Sequence, residues 1–164
     1  MTGVAKGIVL ALLVVVGARP AAAEPGEEPH ALTAEDLWDL YRVSDPRVSP
    51  DGTQVVFTAT RYDLESNTGN DDLYVVAAAG GDVRRLTSLD GPDRGPRWLP
   101  DGSAILFLSA RGEDGTPQVH RLPLDGGDPT AMTDYPSGVS SFFVSPDGAR
   151  LAVTTDVFAD CTSL

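Results

Sequence analysis

His30 and His120 are the only imidazoles in the chain, and imidazole is the usual general base of enzyme catalysis. His30 lies in a Pro- and Glu-rich stretch where nothing would orient it, while His120 falls in an apolar run that reads as a strand. A serine nucleophile of the α/β-hydrolase kind needs Gly-x-Ser-x-Gly, because only small residues fit beside the strained turn that carries it. That pentapeptide is absent. SGVSSF at 137–142 comes nearest, puts Phe142 where the second glycine belongs, and reads as a polar turn before a strand from Phe142 to Val144. DLESNTGNDD at 63–72 is rich in oxygen ligands, but counted from Asp63 the sixth and twelfth places of a calcium loop hold Thr68 and Tyr74 instead of Gly and Glu. It reads as a polar hairpin loop, with weak calcium binding as the alternative. The expectation is a chain with no catalytic residue, no cofactor and no metal site of its own.

The frame around these residues begins with a segment that is removed. Lys6 gives a positive start, Ile8 to Val16 a short apolar stretch, and Ala21-Ala22-Ala23 a small-residue site, the three zones of a signal peptide over 1–23 cleaved after Ala23. The apolar stretch is shorter than the roughly 20 residues of a membrane span, which argues against a retained anchor. Cleavage takes Lys6 and Arg19 away and leaves ten arginines, no lysine and 24 acidic residues, a net charge of −14. Such a surface repels phosphate backbones, so nucleic acid is not an expected partner, and no membrane partner is expected after cleavage. A periplasmic or secreted location follows. In that oxidising setting Cys161 is either a small buried apolar residue or half of a disulfide whose partner lies outside this chain.

Residues 24–45 read as a leader and a strap helix. EPGEEPHA is a flexible lead-in, after which Thr33 is the N-cap, Asp36 completes a capping box, and Leu32 and Leu37 form a hydrophobic staple. Leu37, Leu40 and Tyr41 then share one face of a helix that Asp45-Pro46 should end.

From residue 46 the pattern changes to short apolar runs between turn residues. Pro-Asp-Gly recurs at Pro50, Pro100 and Pro146, separations of 50 and 46 residues, and LYVVAAAGGDVRRLTS at 73–88 returns as VHRLPLDGGDPTAMTD at 119–134, again 46 residues on. In each triplet proline presets φ, aspartate bonds back to the backbone, and glycine takes the positive φ that closes a three-residue hairpin with a bulge. The strands that follow, Val55 to Phe57, Ala104 to Leu108 and Leu151 to Val153, are apolar at consecutive positions, as strands covered on both faces are. In this frame His120 aligns with Tyr74, a packing or blade-surface position. Four antiparallel strands per unit, the middle ones buried on both sides, predict an all-β fold: a partial β-propeller of about three four-stranded blades around 46–95, 96–141 and 142–164. A β-sandwich is the rival and would need alternating polar faces. Closed propellers use four to eight blades, so residues 46–164 read as an incomplete ring, the front of a longer protein or a truncated product.

The order LTAEDLWDLYRVSDPRVSPDGTQVVFTAT, DLYVVAAAGGDVRRLTS, PRWLPDGSAILFLSAR resembles the amino-terminal propeller of exported bacterial serine peptidases of the prolyl oligopeptidase family, in its acylaminoacyl-peptidase and dipeptidyl-aminopeptidase-like branch. The likeness runs from about Leu32 to the end. The Ser-Pro-Asp-Gly strand is shared with the TolB propeller and other repeat proteins, whereas the strap before it is more specific. The resemblance implies a segment that breaks no bonds, covers a carboxy-terminal α/β-hydrolase domain with a Ser-Asp-His triad, and gates the entry of peptide substrates. DVFADC resembles a family segment in which a second cysteine follows, which implies a partner for Cys161 beyond this chain. Glu27 and Glu28 precede the strap and so do not match the paired glutamates that some relatives carry within a blade. The alternative is a non-catalytic periplasmic TolB-like propeller serving as a protein-interaction platform.

Overall fold

The computed structural model describes residues 31–157; the expected signal with its cleavage after Ala23, the leader residues Glu27, Glu28 and His30, and Cys161 lie outside the described residues. Helix α1 (Ala34–Asp39) starts as its sequence dictates. The Thr33 hydroxyl accepts the Asp36 amide at 3.2 Å, and Asp36 Oδ2 accepts the Thr33 amide at 2.6 Å, so two orphan donors are satisfied together. It also stops sooner than the sequence suggests, because Leu40 is already extended and residues 42–48 are drawn into a strand. A six-residue helix that buries no side chain has little to hold it against a ladder of backbone hydrogen bonds. Leu32 and Leu37 stay exposed and form no buried staple. Aromatic edges locate the strap instead: Trp38 meets Tyr62 at 5.9 Å and Tyr41 meets Tyr74 at 6.0 Å between ring centroids.

Strands β1 (Arg42–Val48), β2 (Gln54–Asp63), β3 (Thr68–Ala77) and β4 (Arg84–Arg85) form one antiparallel sheet in chain order. A second sheet repeats it with β5 (Asp93–Trp98), β6 (Ala104–Ser109), β7 (Gln118–Pro123) and β8 (Thr130–Ala131), and β9 (Ser141–Val144) with β10 (Leu151–Thr154) makes a two-stranded third. The sheets start at 42, 93 and 141, ahead of the divisions at 46, 96 and 142 read from the sequence. Pro46 does not end a helix; it lies inside β1. The ladder tolerates it because the register shifts between Ser44 and Arg47, where Asp45 turns to φ 47°, so the missing N–H leaves no hydrogen bond broken. The second sheet does the same between Arg94 and Arg97, with Gly95 at φ 67° before Pro96.

Each Pro-Asp-Gly triplet is a hairpin corner, in a loop of four residues where the sequence suggested three. Ser49 N–H donates to Gln54 O at 2.8 Å and Gly52 N–H to Ser49 O at 2.9 Å. Asp51 Oδ1 explains the extra residue, since it accepts the Thr53 amide at 3.0 Å and the Ser49 hydroxyl at 2.6 Å and so keeps Thr53 in the loop. Asp101 and Asp147 hold the Ser103 and Ala149 amides at 3.0 and 3.1 Å in the same way. Gly52, Gly102 and Gly148 take φ of 74°, 72° and 70°, a backbone that side chains disfavour.

Every residue of β6 is buried. Ile105 and Phe107, with Leu122, pack on Val56 and Leu73 of the first sheet, whereas Leu106 and Leu108, with Val119, pack on Val139 and Phe142 on the way into the third. Two apolar cores, one on each side of a single sheet, make a stack of blades and exclude a two-layer sandwich. The stack fans out: β5 touches β1 on one side and β9 on the other, while β4 and β8 share no comparable contact. The third sheet is covered on one face only, so half-buried Leu151 and Val153 alternate with exposed Ala152 and Thr154, and Phe143 is 66% exposed.

Candidate functional site

The residues that could do chemistry are scattered over this stack. His120 is only 4% exposed, with its ring against Phe107 and Nδ1 3.2 Å from the Gln118 carbonyl oxygen; burial holds its pKa below the ordinary 6.5. Among the described residues no serine hydroxyl is bonded to it. Ser140 and Ser141 of the SGVSSF stretch bond to Thr154 across the third hairpin, each at 3.0 Å, and Phe142 belongs to the core. The 63–72 stretch is the end of the β2–β3 hairpin and the start of β3, with Asp63 accepting the Ser66 amide at 2.7 Å and Asn67 at φ 52°. Among the described residues no group of three or more His, Cys, Asp or Glu is placed to hold a metal ion.

The structure does concentrate its polar side chains at the seams of the stack. Near the outer edge of each four-stranded sheet a threonine returns from the loop to cap the third strand: Thr87 Oγ1 accepts the Leu73 amide at 3.0 Å, and Thr133 Oγ1 accepts the Val119 amide at 2.9 Å. The Thr133 hydroxyl donates to Gln118 Oε1 at 2.7 Å, and the residue at the same place in the first sheet is Asp72. Burial raises the Asp72 pKa, opposed by Arg85, whose Nη2 lies 2.6 Å from Oδ2. Within the second blade Asp93, 1% exposed, takes Arg111 Nη2 at 2.7 Å, and the same guanidinium lies 5.1 Å over the Phe107 ring. Where the first strands meet, Asp45 binds Arg47 and Arg97, the latter at 2.6 Å, and the Trp98 indole donates to Arg47 O at 2.9 Å. Of these ties, Asp45 with Arg97 and the Trp98 indole with the Arg47 carbonyl join the first blade to the second, and the others brace a single blade. Chemically the body can shape a space, exclude large molecules or hold a partner.

A family model described as the TolB beta propeller domain matches residues 40–159. The chain belongs to this β-propeller family. Its two full blades and one partial blade are therefore a partial propeller, in keeping with the resemblance seen in the sequence. An uncharacterized peptidase, YuxL, of Bacillus subtilis is 30% identical over 126 residues, covering 77% of this chain and 19% of that protein. The crystal structure of TolB from Acinetobacter baumannii is 31% identical with a TM-score of 0.53, over 66% of this chain and 25% of that one. Pyrococcus horikoshii acylaminoacyl peptidase superposes with a TM-score of 0.59 at 20% identity, over 78% of this chain and 19% of that one, a likeness of fold. The chain thus spans about a fifth of the peptidase relative's length.

Two features of the propeller escaped the sequence reading. One is the left-handed bulge at Asp45 and Gly95; aligning SDPRV with RGPRW on the 50-residue offset would have exposed it. The other is the strand-capping pair Thr87 and Thr133, present in the repeated landmark as its last conserved-looking letter but indistinguishable there from turn residues.

Proposed function

We propose that this chain is the propeller portion of an exported serine peptidase of the prolyl oligopeptidase kind, which gates peptide access to a carboxy-terminal α/β-hydrolase domain in the parent protein. The observation that carries this reading is the 30% identity to a peptidase over 126 residues. A blade held by a core on each face, as the second one is, suits a gate, because a stiff wall selects by width: extended short peptides pass and folded proteins do not. Export rests on residues 1–23 acting as a cleaved signal, which places the protein in the periplasm or outside the cell. A TolB-like interaction platform is the second reading, favoured by the 31% identity to TolB.

A fluorophosphonate probe for serine hydrolases, applied to the native gene product, separates the two. Labelling of a polypeptide that contains this segment and is much longer than 164 residues supports the peptidase. An unlabelled propeller that copurifies with envelope proteins establishes the platform instead.

A further inference from the structure

On the outer part of the second sheet lies a cavity of about 650 Å³ whose walls include Glu113, Asp114, Ala131, Met132 and Asp134, with His120 among them. Three carboxylates face it and no lysine or arginine does. His120 is the unusual member, being 4% exposed overall. Its Nδ1 lies 3.2 Å from a carbonyl oxygen, a contact that places the ring proton on Nδ1. The Nε2 lone pair then has no partner among the described residues, in a side chain otherwise closed to solvent.

The first sheet shows what such a place accepts. The ladders set Tyr74 opposite Arg85 and His120 opposite Ala131, so Arg85 and Ala131 occupy the same position of successive blades, as Asp72 and Gln118 do. In the first sheet the corresponding cavity is about 370 Å³ and is lined by two arginines, Arg61 and Arg85, the second bound to Asp72 at 2.6 Å. In the second sheet Arg85 is replaced by a methyl group, and the space is larger and ringed by acids. Gln118 is engaged there by Thr133 and Tyr135 and Asp114 Oδ1 accepts the Thr116 amide at 3.1 Å, which leaves Glu113, Asp134 and His120 Nε2 as the free acceptors.

We propose that this cavity binds a guanidinium from outside, the side chain of an arginine on a peptide, in the seat that Arg85 fills for the first blade. A planar group with five N–H donors suits acceptors dispersed around a cavity better than the compact ammonium of lysine does. Met132 and Ala131 offer apolar surface to the arginine stem. The inference is independent of the peptidase reading, since a gate and a platform could each hold the same side chain.

The test is a titration of the isotope-labelled full chain with Nα-acetylarginine amide, following the imidazole resonances of His120. A saturable shift with a dissociation constant of about 1–10 mM is expected for a ligand of this size. Glu113→Gln combined with Asp134→Asn, both exposed and so tolerable to the fold, should weaken it about tenfold. Ala131→Arg restores the guanidinium of the first blade and should abolish the titration. No saturable shift, an equal response to Nα-acetyllysine amide, or undiminished binding by Ala131→Arg overturns the proposal.

Discussion

Truncating Ile105 and Leu106 to alanine, one at a time, asks whether a single sheet is covered on both faces. The two are neighbours on β6 and so point in opposite directions. Ile105 is 0% exposed in the core shared with Val56 and Leu73, and Leu106 is 1% exposed in the core shared with Val139 and Phe142. Each substitution removes three carbons, which at about 0.8 kcal/mol per methylene is about 2.4 kcal/mol of lost burial. A cavity contribution brings the expected cost to about 2–5 kcal/mol for each. Leu106 should sit at the lower end, because the third sheet has only two strands to close around the gap. Urea unfolding of the chain, followed by the fluorescence of Trp98 beside the first core, gives the free energies. Because the two residues are neighbours on one strand, each single variant is read by itself and not from a double variant. If either single variant costs less than about 0.5 kcal/mol, the value usual for a surface position, that face of β6 is not buried and the stacked-blade account is refuted.

Alanine at Gly52, Gly102 or Gly148 costs about 1–2 kcal/mol for left-handed backbone. At Gly148 the new Cβ also crowds Pro100 Cδ at 3.1 Å, whereas at Gly102 it meets Pro50 Cδ at an ordinary 4.0 Å, so thermal melts should rank Gly148→Ala the most destabilising. Thr58 Oγ1 is buried without a hydrogen-bond partner, so Thr58→Val should stabilise by about 1 kcal/mol in the same assay, and a loss of that size would reveal a bond to the hydroxyl. The folded His120 pKa lies below its ordinary 6.5, so the unfolded chain takes up a proton first as pH falls. Stability should therefore be complete above about pH 6.5 and decline below it, a slope that His120→Gln removes from the urea midpoints. Hydrogen bonds from Ser49 and Thr53 hold the Asp51 carboxyl below 3.8, so its contribution is lost at lower pH, as pH falls through its folded value, and Asp51→Asn should flatten only that acid limb.

Much of the fold was legible because the same physical problem is solved at the same place in each repeat. The three Pro-Asp-Gly corners read as hairpins because glycine is the residue that takes the positive φ found at positions 52, 102 and 148 at least cost. The consecutive apolar residues from Ala104 to Leu108 had to be covered twice, and they are. The strap was less legible because Asp-Pro has two uses: it ends helices, and it also fits a bulge that frees the proline from the ladder. Which use wins depends on pairing between Val43 and Ala59, a tertiary fact. The cavity beside His120 was hidden for a different reason. Its meaning lies in a contrast of partners, Arg85 opposite Tyr74 and Ala131 opposite His120, and that contrast exists only once strand register is known.

The proposed gating role is tested most directly on the native gene product by comparing cleavage of a short chromogenic peptide with cleavage of unfolded casein, before and after Phe142→Ala. Phe142 is 4% exposed in the core between the second and third sheets, so its truncation loosens the wall without touching a catalytic group. The account predicts unchanged kcat/KM for the peptide and a clear rise in casein cleavage. Casein cleavage that stays as it was in the loosened variant, or a parent protein that hydrolyses no peptide, contradicts it.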